Sequence, residues 1–105
     1  MAAIPVRVKT IISTYINDLQ KNHIPVNQMI LFGSYAHGNY RQWSDIDIAL
    51  VSDIFEGNRF EDRGKIRRIN LSVSSDLEVL PYRPEDFTPD DPFVREIMET
   101  GVKIV

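Results

Sequence analysis

The chain contains no cysteine. A disulfide framework and a thiolate metal site are both excluded, and with them the small secreted scaffolds that depend on either. No apolar run approaches the ~20 residues that a helix needs to cross a bilayer. The start, Met1-Ala2-Ala3-Ile4-Pro5, has neither the basic flank nor the long apolar stretch of a signal peptide. A cytoplasmic protein without a membrane span is the expectation. A surplus of positive charge is missing as well: 12 Lys and Arg stand against 15 Asp and Glu, a net charge of -3. A surface that follows a phosphate backbone normally needs clustered basic excess, so an extended nucleic-acid surface is not expected, while a single nucleotide remains open. Finally, 105 residues give room for one core and no second. The reading is one domain over residues 1–105, with little left to enclose a second substrate.

What is present concentrates between Leu31 and Val51. The apolar run Met29-Ile30-Leu31-Phe32 stops at Gly33-Ser34, and ten residues later Asp45 and Asp47 head a second apolar run. On a strand, side chains alternate with period two, so Asp45 and Asp47 share one face while Ile46, Ile48 and Leu50 fall on the other. Neighbouring carboxylates repel and raise one another's pKa, whereas a hard cation such as Mg²⁺ favours both ionised forms. The Gly-Ser turn suits an anion: a strand running through glycine into a helical segment presents backbone N–H groups, and the Ser34 hydroxyl adds a donor. Phosphate cradle and divalent metal together suggest a nucleoside triphosphate.

The remaining pattern supplies a scaffold. Val8, Ile11, Ile12, Tyr15, Ile16 and Leu19 recur at helical spacing within residues 6–22, and His23-Ile24-Pro25 ends that helix. Gln28 to Phe32 reads as a first strand, Tyr35 to Gly38 as a short helix or turn, and Ile46 to Val51 as a second strand. Tyr40 and Trp43 fit packing of the connecting loop better than stacking on a base. Residues 60–72 fit a charged helix, with Glu61 and Asp62 solvated near its start in accord with the helix dipole. Leu77 to Tyr82 reads as a third strand, again with two carboxylates, Asp76 and Glu78, at i and i+2. The proline- and acid-rich stretch from Pro84 to Pro92 opposes regular structure. Asp90-Asp91-Pro92 then caps a final helix that ends at Gly101, and Val102 to Val105 can add an edge strand.

Gly33-Ser34, ten residues, then Asp45-x-Asp47 resembles the signature of the minimal nucleotidyltransferases of the DNA polymerase beta superfamily. The longer pattern Phe32-Gly33-Ser34-x-Ala36-x-Gly38 followed by Ser44-Asp45-Ile46-Asp47 shares the likeness, which extends over nearly the whole chain. His37 departs from it, since arginine is more usual there. The resemblance implies an α/β fold, a small mixed sheet with helices packed mainly on one face and an open cleft on the carboxylate face. It also implies a third carboxylate from another strand. Alignment on Pro84-Glu85-Asp86-Phe87 favours Glu78, although aspartate is commoner there, with Asp76 as the alternative.

In that family's terms Gly33 and Ser34 bind nucleotide, Asp45, Asp47 and Glu78 bind one or two Mg²⁺ ions, and Glu78 or Asp76 completes the catalytic set with Asp45 and Asp47. The expected function is transfer of a nucleoside monophosphate, AMP from ATP, to a hydroxyl acceptor. The resemblance also implies a toxin–antitoxin setting with a helical partner of the HEPN type, whose tyrosine can be the acceptor. The alternative is an antitoxin that neutralises its partner by contact with little or no catalysis. A homodimer or the helical partner could complete an open cleft across an interface.

Overall fold

The computed structural model describes residues 4–105. Helix α1 (Val6–Lys21) leads to strand β1 (Gln28–Phe32), a single helical turn α2 (Ser34–His37), strand β2 (Ile46–Val51), helix α3 (Arg59–Val73) and strand β3 (Leu77–Tyr82). A short 3-10 turn (Pro84–Asp86), helix α4 (Pro92–Thr100) and strand β4 (Val102–Lys103) finish the chain. The sheet order is β3-β2-β1-β4. β1 runs antiparallel to both β2 and β4, and β2 runs parallel to β3. The expected mixed sheet in an α/β fold is observed.

The period-two reading of β2 decides the layering. Ile46, Ile48 and Leu50 are fully buried with Met29 and Leu31 beneath Val8, Ile12, Tyr15 and Leu19 of α1 and Ile66 and Ile69 of α3. Each such side chain contributes about 1.5–3 kcal/mol by leaving water. The opposite face is not left open along its length. Ile30, Ala49, Val51 and Tyr82 pack there against Phe87 and against Val94 and Ile97 of α4. The two longer helices thus share one face, as expected, while α4 closes the far half of the other and confines the cleft to the Asp47 end.

Three local features fix the helix ends. The Asn58 side chain accepts from the Glu61 N–H at 3.1 Å to cap α3, and Asp91 accepts from the Phe93 N–H at 2.8 Å to cap α4, where Pro92 takes the first helical position. Helix α1 ends in a Schellman arrangement: the Ile24 N–H reaches the Leu19 carbonyl and the His23 N–H reaches that of Gln20. His23 occupies the left-handed position with φ 59°, which glycine usually fills. The loop after β3 is more ordered than its proline content suggests, because Arg83 clasps Asp86 through two hydrogen bonds of 2.6 and 2.9 Å.

Asp62 departs from the expected solvated helix start. It is 1% exposed and accepts from the backbone N–H groups of Glu56 and Gly57 at 2.9 Å each, with Lys65 Nζ at 3.4 Å. It ties the β2–α3 connection to the helix.

Candidate active site

The site forms where β1 and β2 end side by side. Phe32 is the cross-strand partner of Asp47, so the turn after β1 is delivered directly to the Asp-x-Asp segment. Gly33 there adopts φ 74° and ψ −151°, a region open essentially to glycine alone. A Cβ on Gly33 would lie 2.1 Å from Asp47 Oδ2, so the carboxylate rests against bare backbone. Helix α2 begins at the next residue. Its Ala36 and His37 N–H groups return to the Gly33 carbonyl, and that of Gly38 returns to Ser34. The N–H groups of Ser34 and Tyr35 open the turn and have no carbonyl four residues back within it.

Three carboxylates meet electrostatically on this end of the sheet. Glu78 is the register partner of Asp47 across the parallel β2–β3 pair, and Asp45 precedes β2 by one residue. Burial pushes the Asp47 pKa up to about 6, and the negative charges of Asp45 and Glu78 push in the same direction. Asp45 and Glu78 are exposed. The arrangement stores repulsion at one half-buried group, which a cation or a proton would relieve.

Asp76 is placed differently. It lies before β3, its carboxylate pairs with Arg7 of α1, and its carbonyl accepts from the Ile46 N–H at 2.8 Å. It is thus drawn toward the helix on the opposite face. Among the described residues Glu78 has one ionic neighbour, Arg63 of α3, at 3.8 Å. Neither ion pair was legible in the sequence, because each spans elements whose packing carries no local signal. His37 is exposed at the end of α2. Tyr40 packs as expected, stacked on Tyr35 at 4.7 Å between ring centres, but Trp43 does not, being 75% exposed.

The donor set fits Mg²⁺. Carboxylate oxygens are the ligands it takes, and it usually binds through one or two carboxylates together with substrate phosphates and water. Asp45 and Asp47, with Glu78 beside them, meet that chemistry, and the raised Asp47 pKa marks the point where positive charge is lacking. Among the described residues no three acidic or histidine side chains already converge as a closed cage. The geometry offers an open half-site.

Comparison with known proteins agrees with this geometry. Residues 12–104 match the nucleotidyltransferase domain family. A segment of 44 residues is 43% identical to a candidate protein adenylyltransferase, MJ0604, of Methanocaldococcus jannaschii, covering 41% of this chain and 44% of that relative's length. The chain spans less than half of that relative. Among solved structures, a candidate nucleotidyltransferase from Sulfolobus solfataricus superposes with a TM-score of 0.70 at 20% identity, covering 93% of this chain and 79% of the other. A toxin–antitoxin structure containing AMP-PNP superposes with a TM-score of 0.61 at 22% identity, covering 89% and 71%. At those identities the likeness is one of fold. With the family match spanning nearly all of its length, and with the glycine turn and Asp-x-Asp strand in the expected places, this chain belongs to the nucleotidyltransferase domain family.

Proposed function

We propose that this protein transfers AMP from ATP to a hydroxyl acceptor in a Mg²⁺-dependent reaction. The observation that carries the reading is the contact of Asp47 with the bare backbone of Gly33, flanked by Asp45 and Glu78. It sets the glycine turn, with its backbone donors, directly beside a cluster of carboxylates short of positive charge. Gly33 and Ser34 hold the β and γ phosphates through backbone N–H groups and the Ser34 hydroxyl. Asp45 and Asp47, with Glu78, hold the cation, which when bound supplies charge stabilisation to the phosphate oxygens. The acceptor oxygen attacks the α phosphorus, the bond from that phosphorus to the bridging oxygen breaks, and pyrophosphate leaves. Glu78 takes the acceptor proton. Asp76, already paired with Arg7, is the weaker candidate for that role. Rigid strands position these groups, and positioning carries much of phosphoryl-type catalysis.

The acceptor is proposed to be a tyrosine of a HEPN-type helical partner within a toxin–antitoxin pair. The adenylyltransferase relative and the toxin–antitoxin neighbour with AMP-PNP support this reading. A second reading, neutralisation of the partner by contact, is favoured by the departures of His37 and Glu78 from the family pattern.

Thermal unfolding with each of the four ribonucleoside triphosphates, with and without Mg²⁺, tests the site. A ligand specific for the native state at a hundred times its Kd adds about 2.7 kcal/mol. The expected result is a Mg²⁺-dependent shift with ATP that disappears in Asp45→Asn/Asp47→Asn. No shift with any nucleotide, in the presence of the partner as well as alone, would leave only the contact reading.

A further inference from the structure

The outward side of α3 carries a stripe that the nucleotide site does not use. Phe60, Gly64, Arg67 and Leu71 follow one another at spacings of three and four, with Arg63 beside Gly64, and so lie on one helical face. Phe60 is 87% exposed and Leu71 60%, an unusual placement for two large apolar side chains three turns apart. Between this face and β3 runs a groove of about 430 Å³, closed on the strand side by Leu77, Glu78 and Val79.

The charge of the groove comes from Arg63 and Arg67. Among the described residues Arg63 has a single ionic contact, the 3.8 Å approach to Glu78, which leaves donors of its guanidinium for a bidentate partner. Arg67 has no ion pair among the described residues. Gly64 sits midway, a residue that weakens a helix relative to alanine. An added Cβ there would meet nothing within 4 Å, so no contact inside the chain requires glycine. A small residue at the centre of an exposed stripe does let an outside backbone come close.

The shape favours a helix over a strand as the occupant. The carbonyls of Asp76 and Tyr82 accept from β2, so by alternation the odd-numbered residues of β3 face outward. Pro81 lacks an N–H on that edge, and the Leu77 N–H already turns to the Ser74 carbonyl. Strand addition has little to pair with. A second copy docked by a two-fold axis would set the two arginines of each chain against their own duplicates.

We propose that the Phe60–Leu71 stripe and its groove dock an amphipathic helix of a partner protein, one with an apolar seam flanked by acidic residues. The proposal stands on this surface alone and does not require nucleotidyl transfer. The test is an NMR titration of ¹⁵N-labelled protein with synthetic peptides of about four helical turns that share a leucine seam flanked by Glu, Gln or Lys. The Glu peptide is expected to shift the amides of Phe60, Gly64 and Arg67 and to bind about tenfold tighter than the Lys peptide, a difference of 1.4 kcal/mol. Arg67→Glu, at an exposed position with no ion pair among the described residues, should abolish that preference without changing Tm. Equal affinity for the three peptides, absence of binding, or shifts elsewhere would overturn the proposal. So would self-association on concentration that shifts the same amides, which would name a second copy, or stronger shifts from a single-stranded oligonucleotide.

Discussion

Asp47 and Asp62 are the same residue type in opposite circumstances. Asp62 is nearly inaccessible, and burial alone would raise its pKa, but the Glu56 and Gly57 N–H groups and Lys65 outweigh it and leave the carboxyl below its usual range. Asp47 is only half-buried, yet its pKa is pushed up to about 6, because what surrounds it is burial and two further negative charges. Burial does not decide the fate of a carboxylate; the partners supplied with it do. A group given all its partners holds structure, and a group denied them is free for a ligand.

The sharpest way to break this contrast is Asp62→Ala. It orphans two backbone donors and the Lys65 ammonium in a buried loop, and the expected loss is about 3 kcal/mol, read from urea unfolding, with Mg²⁺ and nucleotide binding retained in the folded fraction. An unchanged midpoint would mean that the buried carboxylate contributes no net stability.

Gly33→Ala comes next. Its backbone region costs a non-glycine residue about 1–3 kcal/mol, and its Cβ must displace the Asp47 carboxylate. Stability and nucleotide binding should fall together, in contrast to Asp62→Ala; calorimetric titration with ATP and Mg²⁺ distinguishes the two.

Asp47→Asn should act in the opposite direction on stability. A shift of that size corresponds to about 3 kcal/mol in a dry site, and water screening at a half-exposed carboxylate reduces this to about 1 kcal/mol. The variant is expected to be more stable than the parent at pH 7 while losing Mg²⁺-dependent binding. The pH dependence follows from the same group. Because the folded pKa lies above the unfolded value, stability is favoured where both states are protonated and falls as pH rises from about 4 to about 6. That contribution to the slope should vanish in the variant. Metal binding runs the other way, weakening below pH 6 as the carboxylate takes up a proton.

The smallest effect is expected for Tyr15→Phe. The Tyr15 hydroxyl is buried with no hydrogen-bond partner among the described residues, so removing it leaves the packing unchanged and relieves an unmet desolvation cost. Tm should stay level or rise slightly; a clear drop would reveal a partner for that oxygen.

Much of the fold was legible because its signals are local. The alternation of Ile46, Asp47 and Ile48 named the buried and functional faces of β2. The stripe through Val8 and Leu19 named α1, and Asp91-Pro92 named the start of α4. The Gly33-Ser34 turn and the Asp-x-Asp strand were visible for the same reason, since each lies within a few residues.

The elements that sequence left open depend on contacts between distant segments. Asp62 reads as a solvated helix start until the β2–α3 loop folds two N–H groups onto it. Asp76 and Glu78 are equivalent by period two, and the register of β3 on β2, with Arg7 arriving from α1, separates them physically. The sequence alone determined the elements, the faces and which residue types meet at the candidate site, because periodicity and turn residues act over a few positions. Tertiary structure alone decided which carboxylates are satisfied and which stand in want of charge, because electrostatic environment is set by neighbours that no local pattern encodes.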